Sequence, residues 1–431
     1  MLKNNIKIYF ILMLITIFHI SMQIYFFHIN NEVPTDGDGV NYISRASNFT
    51  DFANVFGDGF RLPGYPFVIW FLGLLSGKSL LFIRIIQVIL TSSLIIISFF
   101  ILLKLTRSKF FSLFGGIIVG SWLPLYVFSK EIYAESISLF LIALLILIII
   151  DINTNNYLLK SILISILIAL LTYLKPNQIM ILLPTCIYCV YKLKNWSTIK
   201  KHLQFTIGLL MILIMPWTIF ISVTNSSFIP LSTNQGLVLY QGAGGSDGIE
   251  YYTLSDKVRK YFNLNNTDLN VYEVLSQYNE KIDPEHNDHK KAVTYNKMFQ
   301  SKAIELWKER PLEEVILGFA KVLHGFGFSL RGLKDIVLAL FSLTSILTSI
   351  ILWRTRKHRD FILLFWMLIF IFSFQAFLYQ GDQRFKTILF DLPAILILLL
   401  ALNVLKNNMA VSMIWKGWRK IARPIINNSN L

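Results

Sequence analysis

Ten runs of this 431-residue chain are apolar over a length that meets or nearly meets that of a bilayer span: about 6–28, 79–103, 110–127, 135–150, 158–174, 178–192, 203–223, 333–353, 360–379 and 386–405. Crossing some 30 Å of hydrocarbon takes about 20 apolar residues in a helix, because no water is there to satisfy peptide groups. Composition agrees: hydrophobic residues make up 55% of the chain and charged residues only 15%, against roughly 25% charged in a soluble domain. The fold class expected is therefore an all-α polytopic membrane protein with about ten transmembrane helices. Two cysteines exclude a disulfide framework. The first run is too long for the apolar core of a signal peptide and lacks a small-residue cleavage site, so it is expected to remain as an anchor.

The net charge of +15 is distributed by loop. One alternate set of loops carries Lys3 and Lys7; Lys104, Arg107 and Lys109; Lys160; Lys192, Lys194, Lys200 and Lys201; Arg354, Arg356, Lys357 and Arg359; and, in the tail, Lys406, Lys416, Arg419, Lys420 and Arg423. The opposite short loops offer few cations, chiefly Lys130, Lys175, Arg384 and Lys386. By the positive-inside rule the richer set is cytoplasmic, as are both termini. The basic excess then reads as a topology signal and an attraction to anionic membrane lipids, not as a nucleic-acid surface.

Four regions follow: an N-terminal transmembrane module over 1–223, with an outer loop at 30–78; a small, mainly helical extracytoplasmic domain over 224–332; C-terminal transmembrane helices over 333–405; and a basic cytoplasmic tail over 406–431. Within the first outer loop, Phe67 to Leu75 is apolar but too short to span, so it is expected in the interface. In the outer domain, the glycine-rich Gln241 to Ser246 reads as a loop. Pro311 is placed to open a helix at its first turn, with Leu312, Val315, Ile316, Phe319 and Leu323 on one side. Lys321 and His324 make that helix interfacial rather than an eleventh span.

Three motif-like stretches are decoys. Gly77-Lys78-Ser79 ends like a phosphate-binding P-loop, but the glycine that motif needs five residues before Gly77 is Leu72. Cys186 and Cys189 have a Cys-x-x-Cys spacing inside an apolar helix with no second ligand pair, and read as small buried hydrophobes. Glu285, His286, Asp288 and His289 form a polar cluster with metal-ligand chemistry, read as a solvated helix start.

Asp36-Gly-Asp38-Gly is sharper. Two carboxylates on a glycine-flexed backbone, with Tyr42 and Ala46 at helical spacing from Asp38, can bind a cation or hold one carboxylate ready as a base. A solvated Asp-Gly turn has the same spacing, and the stretch by itself leaves both readings open.

Read together, Asp38-x3-Tyr42-x3-Ala46, Arg61-x-Pro63-Gly64-Tyr65-Pro66 and Arg84-Ile85-Ile86-Gln87 resemble the opening of the type-C glycosyltransferases related to protein O-mannosyltransferases and the lipid A aminoarabinose transferase. Tyr133-Ala134-Glu135-Ser136, Leu174-Lys175-Pro176, Pro216-Trp217-Thr218, Phe228 to Leu237, Ala303-Ile304-x2-Trp307-x3-Pro311 with Lys321, and Gln383-Arg384-Phe385 are similar to later family elements, in family order. The resemblance covers nearly the whole chain. It departs where many relatives have an Asp-Glu pair, here Asp38-Gly39, and where an Arg-Asn follows Pro-Trp, here Phe220-Ile221.

The resemblance implies a type-C architecture in the cytoplasmic membrane of a bacterium, with the active site on the outer face. The donor would be a sugar on a polyprenyl phosphate, and the acceptor a hydroxyl of a glycan, lipid or protein. Asp38 would be the base, with Asp36 or Glu135 orienting the acceptor or helping to bind a divalent cation. Arg61, Arg84, Lys175 and Arg384 would face the leaving phosphate, for which Arg suits bidentate contact; snorkelling to lipid headgroups is the alternative for each. Two rival functions would also suit a polytopic membrane protein, and each differs in one feature. A transporter of lipid-linked glycans would place charges near mid-membrane, and an O-antigen polymerase or ligase would have no need of the early Asp loop.

Overall fold

The computed structural model describes residues 2–34, 37–243, 289–328, 333–379 and 383–406, and among them every regular element is helical. The first module contains α1 (Leu2–Phe26), α2 (Gly37–Ser47), α3 (Phe52–Phe56), α4 (Gly64–Ser76), α5 (Leu80–Ser92), α6 (Leu94–Thr106), α7 (Lys109–Gly120), α8 (Glu135–Ile149), α9 (Tyr157–Leu174), α10 (Leu182–Leu193) and α11 (Trp196–Thr224). Then follow α12 (Gln235–Gly242), α13 (His289–Glu309), α14 (Pro311–Gly325), α15 (Leu333–Arg354), α16 (Arg359–Leu378) and α17 (383–406).

Seven of these segments are long and apolar enough to cross a membrane: α1, α5 with α6, α9, α11, α15, α16 and α17. An eighth is bent by 73° between α7 and short 3-10 turns over Leu123–Ser129, where Pro124 cannot donate a backbone hydrogen bond. The ten expected runs all become helical, but two fall short of a span. Those at 135–150 and 178–192 form α8 and α10, of 15 and 12 residues. Pro176 explains the second case: it forces Lys175 into an extended conformation (φ −149°, ψ 121°), so α9 stops and a 3-10 turn precedes α10.

Starts are marked by capping chemistry. Ser79 and Ser108 accept the backbone N–H of Phe82 and Phe111, and Asn195 accepts that of Thr198, satisfying donors that no helical carbonyl reaches. Packing in the bundle depends on small residues. A Cβ on Gly116 would sit 3.1 Å from the Ile95 carbonyl, a tight contact, so glycine there lets α7 lie close on α6. The innermost helix is α17, buried at nearly every position from Lys386 to Leu400, as suits a helix apolar all round.

Helix directions sort the charges into two ends. At one, Lys104 of α6 and Lys160 of α9 pair with Asp151 (3.0 and 3.7 Å), and Lys192 of α10 pairs with Asp360 of α16. At the other lie the C-terminal ends of α1, α9 and α11 and the N-terminal ends of α5, α8 and α17. There α4 exposes Phe67, Phe71, Leu74 and Leu75 along one face, the short apolar helix expected from its length. Pro311 opens α14, which exposes Leu312, Val315, Phe319 and Leu323 while burying Glu314 and Lys321. Its apolar stripe faces out and its charges face in. Of the expected outer domain, α12 packs on α13 through Tyr240, Ala243, Phe299, Ala303 and Leu306; Asp36, Glu285, His286, Asp288 and the tail beyond Lys406 lie outside the described residues.

Candidate functional site

Five ionisable side chains from separate parts of the chain meet at this second end. Asp38 stands in the first turn of α2, where the helix dipole favours a carboxylate. Its carboxylate accepts from Arg61 Nη2 on one oxygen and lies 3.4 Å from Arg384 Nη1 on the other. Glu135, the first residue of α8 and 1% exposed, accepts from Lys175 Nζ at 2.6 Å and lies 3.7 Å from the same Arg384 nitrogen. Arg384, at the start of α17, therefore bridges the two carboxylates.

Aromatic rings line the cluster. The Arg61 guanidinium lies over Tyr42 and Phe60 (5.3 and 5.4 Å), Arg384 over Tyr133 (5.8 Å), and Lys175 over Phe385 (5.2 Å). Such contacts attract each cation to the ring face beside it. Arg61 Nε is buried without a hydrogen-bond partner among the described residues. Burial pushes the Asp38 carboxyl up, but Arg61, Lys175 and Arg384 outweigh it and hold it below the usual carboxylate range. Asp38 is thus ionised at neutral pH. Burial pushes the Tyr42 hydroxyl up, so it stays protonated.

The loop that presents Arg61 is fixed on both sides. Arg45 grips Asp58 through two hydrogen bonds (3.1 and 2.6 Å), and Asp58 also accepts from Phe60 N. Thr233 bonds to the carbonyls of Asp58 (2.8 Å) and Gly59 (2.9 Å), and Asn225 to that of Gly57 (2.8 Å). Trp217 Nε1 donates to the Leu231 carbonyl and Thr218 Oγ1 to that of Pro230, both at 2.6 Å. The Pro-Trp-Thr stretch and the 228–237 stretch therefore act together as the backing of the Arg61 loop. A Cβ on Gly64 would lie 2.5 Å from the Tyr173 carbonyl, so glycine lets the start of α4 meet the end of α9 beside Lys175.

Behind the charges runs a buried polar chain. Tyr42 packs edge-on against Tyr65 (4.8 Å), and Tyr65 donates to Gln87 Oε1 (2.5 Å). Gln87 in turn donates to the carbonyls of Ser129 (3.2 Å) and Glu131 (2.6 Å), fixing the turn that leads into Glu135. Tyr133 and Phe385 were not expected at the site; Tyr133 is two residues before Glu135 and Phe385 directly follows Arg384, and nearness in sequence to expected site residues was the available signal.

Arg84 is not brought into the cluster. Its Nε donates to the Lys130 carbonyl (2.7 Å) and its Nη1 to that of Asn30 (2.8 Å), tying α5 to two loops at the same end. Among the described residues no three His, Cys, Asp or Glu side chains come together to hold a metal, and Cys186 and Cys189 are free thiols within α10. Among the described residues the cluster brings together two carboxylates and three cations. No family model, no curated protein and no solved structure matches the chain.

Proposed function

We propose that this membrane protein is a glycosyltransferase that moves a sugar from a polyprenyl-phosphate donor to an acceptor hydroxyl, with inversion, at the outer face of the bacterial cytoplasmic membrane. The observation that supports this most is the convergence of Asp38, Arg61, Glu135, Lys175 and Arg384 at one end of the helix bundle. A lipid-borne phosphate would reach that depth from within the bilayer, and an acceptor hydroxyl from the water side.

In the step proposed, the acceptor oxygen attacks the anomeric carbon as Asp38 takes its proton. The bond from that carbon to the phosphate oxygen breaks, and the electron pair leaves with the polyprenyl phosphate. Arg61, Arg384 and Lys175 stabilise the charge that grows there. The same two guanidiniums engage Asp38. Phosphate oxygens compete for them, so donor binding frees the carboxylate to act as a base. Glu135 keeps Lys175 and Arg384 in register.

Transfer from a synthetic polyprenyl-phosphate sugar, measured with the purified full-length protein, tests the reading. Asp38→Asn keeps size and loses basicity, and should lower transfer by about 10²–10⁴-fold. Arg384→Gln should lower it by about 10²–10³-fold, as for other oxyanion contacts. Full activity in both variants, or use of a nucleotide sugar in place of the lipid donor, would overturn the proposal.

A further inference from the structure

We propose that the hairpin of α15 and α16 binds an anionic phospholipid at the end of the bundle opposite Asp38. The phosphate would rest on Arg354, Arg356 and Lys357, and the acyl chains would lie between the helices. The inference does not rest on glycosyl transfer.

A cavity of about 370 Å³ opens between the two helices, lined by Ile350, Trp353, Arg354, Leu363 and Trp366. Both helices are long and apolar enough to cross a membrane, where a groove between them would open sideways into lipid. Its walls are aliphatic and indole apart from Arg354 at the rim. Trp side chains are at home at headgroup level, where one part of the ring is wet and the rest apolar. The Arg359 guanidinium lies over the Trp353 ring at 5.3 Å and its Nε donates to the Trp353 carbonyl at 3.2 Å, which fixes that wall of the groove.

The charge at the rim is uncompensated. Arg354, Arg356, Lys357 and Arg359 fall within six residues, and the acid beside them, Asp360, is taken by Lys192. Arg354, Arg356 and Lys357 are exposed and have no carboxylate partner among the described residues. Lys104 and Lys160 at the same end, by contrast, share Asp151. Cations held at a membrane surface beside a lipid-facing groove attract a phosphate on a lipid tail. An Arg fork also matches the two free oxygens of a phosphodiester.

Native mass spectrometry of the full-length protein, stripped of lipid in detergent, provides the test. Titration with phosphatidylglycerol and with phosphatidylcholine of the same chains should show the anionic lipid bound at least about tenfold more tightly, from two or more cation contacts. The double variant R354Q/R356Q should lose that preference, R354K/R356K should keep most of it, and K160Q, whose lysine already has a carboxylate, should leave it unchanged. Equal binding of the two lipids, or an unchanged preference in R354Q/R356Q, would refute the site. Displacement of phosphatidylglycerol by millimolar inorganic phosphate would also refute it, since the ligand would then be a free anion.

Discussion

At the scale of single residues, environment decides which charge is chemical and which is structural. Asp38 and Asp58 are both acids of the segment between α1 and α4, yet Asp58 is closed off by Arg45 and the Phe60 amide, while Asp38 keeps 24% of its side chain exposed between two guanidiniums. Because the folded carboxyl of Asp38 titrates below its usual value near 3.8, its pairing stabilises the protein fully above that value. The contribution is lost as pH falls through the lower, folded one. Wild type should therefore be more heat-stable than Asp38→Asn at pH 6, and the difference in Tm should close as the pH falls through the lowered folded value; a gap independent of pH would mean that the carboxylate is not what stabilises this site. Arg84 makes the complementary point. An arginine at a membrane edge can meet a phosphate or cap two carbonyls, and only its neighbours in space distinguish these roles.

At the scale of elements, the start of α17 is set by a feature without a local sequence signature. Lys386 and Asp391 pair at 3.0 Å, each 1% exposed, across a π-helical turn at Thr387–Asp391. Asp391 also accepts from Trp122 Nε1 (3.0 Å) at the bend after α7, and Lys386 lies over Phe341 and Phe390. Five residues separate the pair, so in a regular helix the two side chains would diverge by about 140°; the wider π turn brings them together. Asp391→Leu alone leaves a buried ammonium and should cost about 3–5 kcal/mol, whereas Lys386→Met with Asp391→Leu should recover most of it. A double-mutant cycle on unfolding in detergent checks this, and additive losses would mean that the pair is not coupled. At the start of α4, Gly64→Ala should displace the helix from the Tyr173 carbonyl and carry Arg61 away from Asp38. Transfer should then fall about 10²-fold for a shift near 1 Å, with α4 still helical; unchanged activity would show that the close approach does not position Arg61.

For the molecule as a whole, the proposed topology places Asn48 and Thr154 on opposite faces of the membrane, since they belong to the loop regions of Asp38 and Asp151 at the two ends of the bundle. A cysteine at Asn48 should react with an impermeant maleimide on intact cells and one at Thr154 only after permeabilisation; the reverse pattern would invert the protein. The background is low because Cys189 is buried and Cys186 half-buried. Membrane residence and the positions of the helices were legible in the sequence, because a hydrocarbon solvent imposes length and apolarity on each segment separately. The segregation of Lys104, Lys160 and Lys192 from Asp38, Glu135 and Arg384 was legible too, because alternate ends of successive spans must alternate sides. Tertiary structure alone decided that Arg384 bridges Asp38 and Glu135 while Arg84 turns to backbone carbonyls, and that Lys386 closes on Asp391. Each of these depends on which side chains from distant segments share a low-dielectric space, and a one-dimensional pattern of apolar runs and loop charges carries no information about that distance.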